Sequence, residues 1–257
     1  MHTLATLYAL KAHLGIAQSD TVHDGRLLQA LIASTKTLER TCNRAFLPYR
    51  ATIAHPLPRD RRTLSLLEDL LSLEGATHGD DITIAPENLR RGRDGTLVLA
   101  NGEAFMAHLL HQEAIWITGV WGWHDDTDTA WQSTGDTLLA TLGTESLSAS
   151  INDADAPNDQ TTPRFQVGQL LRLQNEFVQV IGVNTTTNVL TLSRGARGTE
   201  ATAHDAGTPI LCYAPPNDLV QACLMWATWQ FKEPDAPQDP LPVALLTLTH
   251  RFKKVLV

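Results

Sequence analysis

Residues 170–193 read LLRLQNEFVQVIGVNTTTNVLTLS. Val178, Val180, Ile181 and Val183 lead into the polar run NTTTN, and Val189, Leu190 and Leu192 lead out of it. Two β-branched, apolar runs around a short polar turn specify a β-hairpin, because the turn residues reverse the chain while the flanks pair. Working outward, SLSASIND lies upstream and TPILCYA downstream, each a short apolar run bounded by turn formers. The interval 127–213 is therefore expected to be an all-β module, barrel or sandwich-like. Its flanks, DDTDTAWQSTGD and YAPPND, are polar and turn-forming, as expected of a module inserted at a surface.

Upstream of it the texture is also β. YRATIAH, TLSL, LLSLEGA, DITIA, TLVLA and AIWITGVWGW alternate with HPLPRD, THGDD, RDG and NG. These predict a small, mostly antiparallel sheet. Helical signals bracket all of this. Thr6 is placed to cap a short helix through Leu7, Leu10 and Leu14 that ends at Gly15. Leu27, Leu28, Leu31, Ile32, Thr35, Leu38 and Cys42 then recur at three- and four-residue steps, a long amphipathic helix opening at Asp20 or Thr21, with Leu28, Leu31 and Leu38 expected in the core and Lys36 in water. After Pro215 and Pro216, Asn217 or Asp218 is placed to cap a helix carrying Leu219, Ala222, Cys223, Trp226 and Phe231. The prolines of DAPQDPLP then predict a stiff, extended linker before VALLTLTHRFKKVLV.

The chain has 257 residues, 43% hydrophobic and 19% charged, which suffices for a real core and suits one or two domains. Twenty Lys and Arg against 28 Asp and Glu leave a net charge of -8, which opposes nonspecific wrapping of nucleic acid. Cys42, Cys212 and Cys223 form neither a disulfide framework nor a zinc-thiolate motif. MHTLATLYALKAHLG is too short and too interrupted for a signal or spanning segment, and no later run reaches the ~20 apolar residues that a bilayer demands, so a soluble protein is expected.

Chemistry-bearing patterns are weak. His108 and His111 would share a helical face, with His124, Asp125 and Asp126 following, but no HExxH is present and a strand near Ala114 would separate the groups, so no metal site is expected. Asp153, Asp155, Asn158 and Asp159 gather oxygen ligands without the central Gly and closing Glu of a calcium loop. Arg194–Thr199, RGARGT, lacks the Gly-Lys-Ser/Thr ending of a P-loop and reads as a tight turn. Glu68 and Asp69 are an ordinary carboxylate pair, Cys223 sits on an apolar stripe, and no GxSxG elbow occurs. No catalytic residue and no cofactor is expected, and the chain is read as a non-enzyme.

Three basic clusters stand out in an acidic protein: Arg59, Arg61 and Arg62; Arg90, Arg91 and Arg93; and Arg251, Lys253 and Lys254. They are either solvated loops or contacts to a negative surface or passing DNA. Trp116, Trp121, Trp123 and Trp131 fall in a short interval. The alternation in ITGVWGW favours burial of one face, and the rival reading is a β-domain that binds carbohydrate or a host surface.

In this order the segments resemble the head-tail connector, or adaptor, proteins in the neck of tailed bacteriophages. LYALKAHLGI, a polar gap and DGRLLQALIASTKTLERTCNRAF look like that family's opening, a short helix and then a long one ending in an aromatic before the first strand. LSLLEDLLSLEGATHGDD is similar to its central strands, ITGVWGW to the strand leading to the late helix, and NDLVQACLMWATWQFKEPD to that helix. The resemblance covers most of 1–126 and 214–257, which would form an α+β connector body, a helical body with a small antiparallel sheet. The family pattern runs from the ITG strand almost directly into the late helix, whereas here the β module of 127–213 intervenes.

What the resemblance implies is a virion protein of the neck, at the head-tail junction, assembled in the host cytoplasm and without contact to a membrane. It would form a homo-oligomeric ring, twelve-membered in the family's usual form, that joins portal protein to a downstream neck or tail protein. DNA would pass through the channel without sequence-specific binding. The resemblance also makes the C-terminus a portal-docking arm, with Arg251, Lys253 and Lys254 meeting acidic groups and Phe252 and Leu256 anchoring it.

Overall fold

The computed structural model describes residues 3–92, 95–100, 102–110, 113–156, 163–232 and 243–254. Among them the chain forms four α-helices and three antiparallel sheets, an α+β fold. Two compact units emerge, one of residues 1–43 with 128–257 and the other of residues 44–127. The boundary at 127 is where the β module was expected to begin. The helices, however, group with that module, and the sheet of 44–127 stands as a unit of its own.

In the first unit α1 (Leu7–Leu14) starts where Thr6 Oγ1 accepts the Ala9 N–H at 3.1 Å and stops at Gly15, whose φ of 70° is the left-handed cap. Replacing Thr6 with Ala is expected to lower stability by about 1 kcal/mol in a denaturant melt, through an orphaned amide at the helix start. α2 (Asp24–Cys42) buries Leu27, Ala30, Leu31, Ser34, Thr35, Leu38 and Cys42, one continuous stripe. Leu28 lies at the stripe's edge, half-buried. The helix begins four residues later than Asp20, because the Asp20 carboxylate accepts the Val22 N–H at 3.1 Å and holds a turn there.

α3 (Asn217–Lys232) packs along α2, with Leu219, Ala222, Cys223, Leu224, Trp226 and Ala227 buried. Each such leucine contributes about 2 kcal/mol by leaving water. Lys11, buried at the end of α1, pairs with Asp24 in the first turn of α2 at 2.5 Å, so opposite charges sit at the dipole ends that favour them.

α4 (Val243–Phe252) corrects the extended arm. It packs on α2 and α3, burying Leu245, Thr249 and Phe252, and the Lys254 N–H bonds the Cys42 carbonyl at 2.8 Å. The proline-rich linker lies outside the described residues. Among those described, no helix is long and apolar enough to cross a membrane.

The same unit holds six strands: β8 (Trp131–Thr137), β9 (Ser148–Ser150), β10 (Leu170–Leu173), β11 (Glu176–Asn184), β12 (Val189–Ser193) and β13 (Pro209–Tyr213). Their order is β8-β13-β10-β11-β12-β9. Past β8 and β9 the edges meet, through the Leu138–Ile151 bridge and the Leu139 N–H on the Ser150 carbonyl, so the sheet closes as a small barrel. Alternate residues fill it, among them Leu171, Leu173, Val178, Val180, Leu190, Leu192 and Ile210. The hairpin turn is built as NTTTN predicts: Asn184 Oδ1 accepts the N–H groups of Thr186 and Thr187, and Asn188 takes a left-handed φ of 51°. The barrel joins the helical part through loop contacts, with the Thr6 hydroxyl donating to Gln166 Oε1 at 2.5 Å.

The second unit contains two sheets where a single one was expected. β1 (Tyr49–Pro56), β7 (Glu113–Trp121), β3 (Leu70–His78) and β4 (Ile82–Ile84) pair in that order. β2 (Thr63–Ser65), β6 (Thr96–Leu99) and β5 (Leu89–Arg91) form the other. Leu64, Leu89, Leu97 and Leu99 from the smaller sheet meet Ala76, Ile115, Ile117 and Trp121 from the larger in one core. Gly119 is where β3 and β7 come closest, and a Cβ there would run into the Ser72 carbonyl.

Candidate functional site

The barrel's densest polar constellation is built on the RGARGT turn. Arg194 follows β12 directly, and Gly195, Arg197 and Gly198 all take positive φ, which coils the chain back over the barrel end. Glu176 opens β11 and its carboxylate is fully buried. Arg194 grips it with two bonds of 2.7 Å, from Nε to Oε1 and from a terminal nitrogen to Oε2. The N–H groups of Gly195 and Thr202 donate to the same two oxygens at 2.9 and 3.0 Å, and His204 Nε2 stands 2.8 Å from Oε2. Arg194 also donates to the carbonyls of Gly143, Ser146 and Thr202. Burial alone would raise the Glu176 carboxyl, but these donors outweigh it and hold it down to about 2. The arrangement ties three loops together and commits the guanidinium internally, so the phosphate-cradle chemistry of the motif has no place here.

A second lock, on Asp136, disposes of the calcium reading. Asp136 accepts the N–H groups of Thr137, Asn152 and Asp153 and the Asn152 side-chain amide, and pairs with Arg164 at 3.0 Å. Asp153 turns its carboxylate onto the backbone of Asp155 and Ala156. Asn158 and Asp159 lie outside the described residues.

The histidines do not converge. His108 lies in a loop with Nε2 3.6 Å from Asp80 and its ring edge-on to Trp116, while His124 contacts Asp125 beyond the other end of β7. His111 lies outside the described residues, and among those described no three His, Cys, Asp or Glu side chains group as a metal would require. Burial raises the Cys223 thiol to about 11 and the Cys212 thiol to about 12, far from thiolate reactivity. Asp69 pairs with Arg44 at 3.2 Å, a structural role.

The four tryptophans form no common platform. Trp121 is wholly buried in its unit's core, its indole N–H on the Ala51 carbonyl at 2.9 Å. Trp116 lies on the opposite face of β7, and Trp123 packs edge-on against Phe46 with Arg44 over its ring. Trp131 belongs to the barrel unit, against Phe177 and Tyr213. The carbohydrate-binding reading loses the clustering that motivated it.

Of the residues expected at the C-terminal docking site, Phe252 is buried in its own helical bundle and unavailable as an anchor. Arg251 is exposed and pairs with Asp218 at 3.0 Å, Lys253 is exposed, Lys254 is half-buried, and Leu256 lies outside the described residues. Arg59, Arg61, Arg62, Arg90 and Arg91 are exposed; Arg93 is not among the described residues.

Two surface features of the 44–127 unit had no sequence signal strong enough to single them out. One is a loop that presents Leu109 and Leu110, each 85% exposed. The other is a pocket of about 180 Å³ lined by Leu66, Leu70, Arg91, Thr96, Trp123 and Thr127, among others.

No protein-family model matches the chain, and no curated protein does. Among solved structures it is similar to one described as the neck of an empty GTA particle computed with C6 symmetry, at 12% identity and a TM-score of 0.47, over 99% of this chain and 91% of that one. A likeness of that size transfers no residue and no activity.

Proposed function

We propose that the chain is a structural protein of a tailed-phage-like virion, a head-tail connector that forms a ring in the neck around the DNA channel and joins portal to the next neck or tail component. The observation that supports this is the order of elements at the two ends of the chain. A short capped helix, a polar turn and a long helix are followed by the buried aromatic Phe46 and the first strand, and α3 returns to pack on α2. That is the succession in which the sequence resembles the connector family, now realised as packed elements.

In this reading the protein is not an enzyme, and its charged loops face neighbours and passing DNA without reading base sequence. The portal-side contact is revised by the fold: exposed Arg251 and Lys253, at the end of a docked helix, meet the partner in place of an extended apolar arm. Assembly takes place in the host cytoplasm, and the barrel decorates the ring. Electron microscopy of the purified full chain tests the proposal. Ring-shaped particles are expected, whereas a protein that stays monomeric at every concentration and retains a glycan on an array would replace this reading with the binding-protein one.

A further inference from the structure

Leu109 and Leu110 are not loose. The Leu109 N–H is held by the Asp80 carboxylate at 3.2 Å, the Leu110 N–H by His108 Nδ1 at 3.0 Å, and the Met106 N–H upstream by His78 Nδ1 at 3.1 Å. His108 is itself braced by Trp116 and Asp80. Three side chains thus fix a loop that holds two adjacent leucines out in water, beside Met106 and Ile82, which are 50% and 45% exposed. Leaving such side chains exposed forgoes about 1.5–3 kcal/mol each, and an ordered apolar knob of this kind marks a contact surface.

The pocket lies at the opposite end of the same sheet. The knob stands beyond the His78–Ile115 pair of β3 and β7, and the pocket beyond their Leu70–Trp121 pair. Six strand residues of about 3.3 Å each put them about 20 Å apart, too far for one molecule to fill its own pocket. A space on the order of 150 Å³ takes a benzene ring, so about 180 Å³ has room for a leucine side chain. Charge agrees in part: Asp80 and Asp81 flank the knob and Arg90 and Arg91 the pocket, while Asp69 inside it is already paired with Arg44. Asp125 and Asp126, next to the lining residue His124, act against this, so the match rests first on the fit of the leucines.

We infer that the Leu109–Leu110 knob of one copy seats in the Leu66, Leu70 and Trp123 pocket of the next, a head-to-tail contact between copies of this chain. Such a contact uses two different surfaces, so it propagates and closes into a ring when the rotation per copy allows. The inference rests on the ring reading and names the surfaces that would build it.

The test uses the full chain, wild type beside Leu109→Asp/Leu110→Asp, in light scattering and electron microscopy. A third form carries Leu110→Cys and Thr127→Cys and is oxidised and run on a non-reducing gel. The wild type is expected to assemble, the aspartate variant to associate more than about tenfold less tightly with an unchanged thermal melt, and the cysteine form to give a ladder of linked chains. Rings that persist in the aspartate variant, with no ladder from the cysteine form, would overturn the contact and leave the ring reading standing. A wild type that never assembles would overturn both.

Discussion

Glu176→Ala is expected to cost about 3–5 kcal/mol of unfolding free energy, read from urea melts, because it breaks a buried ion pair from one side. Arg194 would keep the Gly143, Ser146 and Thr202 carbonyls but lose both carboxylate bonds, leaving a guanidinium charge with no counter-ion in a site where its side chain is 4% exposed. The amides of Gly195 and Thr202 and the His204 ring would lose their acceptor as well. Glu176→Gln should fall between, since it keeps one acceptor oxygen and turns an amide against the guanidinium. The wild type should also show the pair in its acid response. The carboxyl is held at about 2 against an ordinary 4.5, so its contribution is complete above about 4.5 and drains away as pH falls towards 2, on the order of 3 kcal/mol in all. Melts repeated through that window should converge between wild type and Glu176→Gln as pH falls. Equal midpoints at neutral pH would show that the network holds nothing together.

That network also marks how far the sequence could be read. The turn of RGARGT is local and legible, because two glycines and a following β-rich run leave little else. Its partner is not: Glu176 sits in QNEF, an ordinary hairpin-turn context, and meets Arg194 only once β10, β11 and β12 are in register. The stripe on α2 was legible for the same reason that the NTTTN hairpin was, since each is a short-range pattern with a single satisfactory solution. The division of the 44–127 strands into two sheets was not, because TLS, ITI and LRR are three-residue strands with too few side chains to declare a face.

The C-terminus shows a competing signal winning wrongly. Four prolines before it and its threonines argued for extended chain, yet Leu245, Thr249 and Phe252 recur at helical steps of four and three, and that stripe is the one α4 buries. Leu109 and Leu110 went unremarked because two leucines in a row look like core in a sequence; only the fold shows them turned outward.

In the second unit the largest loss is expected at Trp121. β7 carries Ile115, Ile117 and Trp121 on its core face, and the indole is the bulkiest wholly buried side chain of that core. It lies stacked near the His55 ring at 6.1 Å and gives its N–H to the Ala51 carbonyl on the neighbouring strand. Trp121→Ala removes the packing and the bond together and leaves a cavity lined by side chains that cannot close it without shifting β1 against β7. The expected cost is about 3–5 kcal/mol in a chemical melt followed by the signal of the 44–127 unit. Trp121→Phe separates the terms, since it keeps an aromatic ring against His55 while leaving the Ala51 carbonyl without its donor, for about 1–2 kcal/mol. Trp116→Ala is the control from the other face, half-buried and outside the core cluster, and about 1 kcal/mol is expected there. Losses of the same size at 116 and 121 would mean that β7 is buried on both faces, and the register that places Gly119 against Ser72 would have to be redrawn.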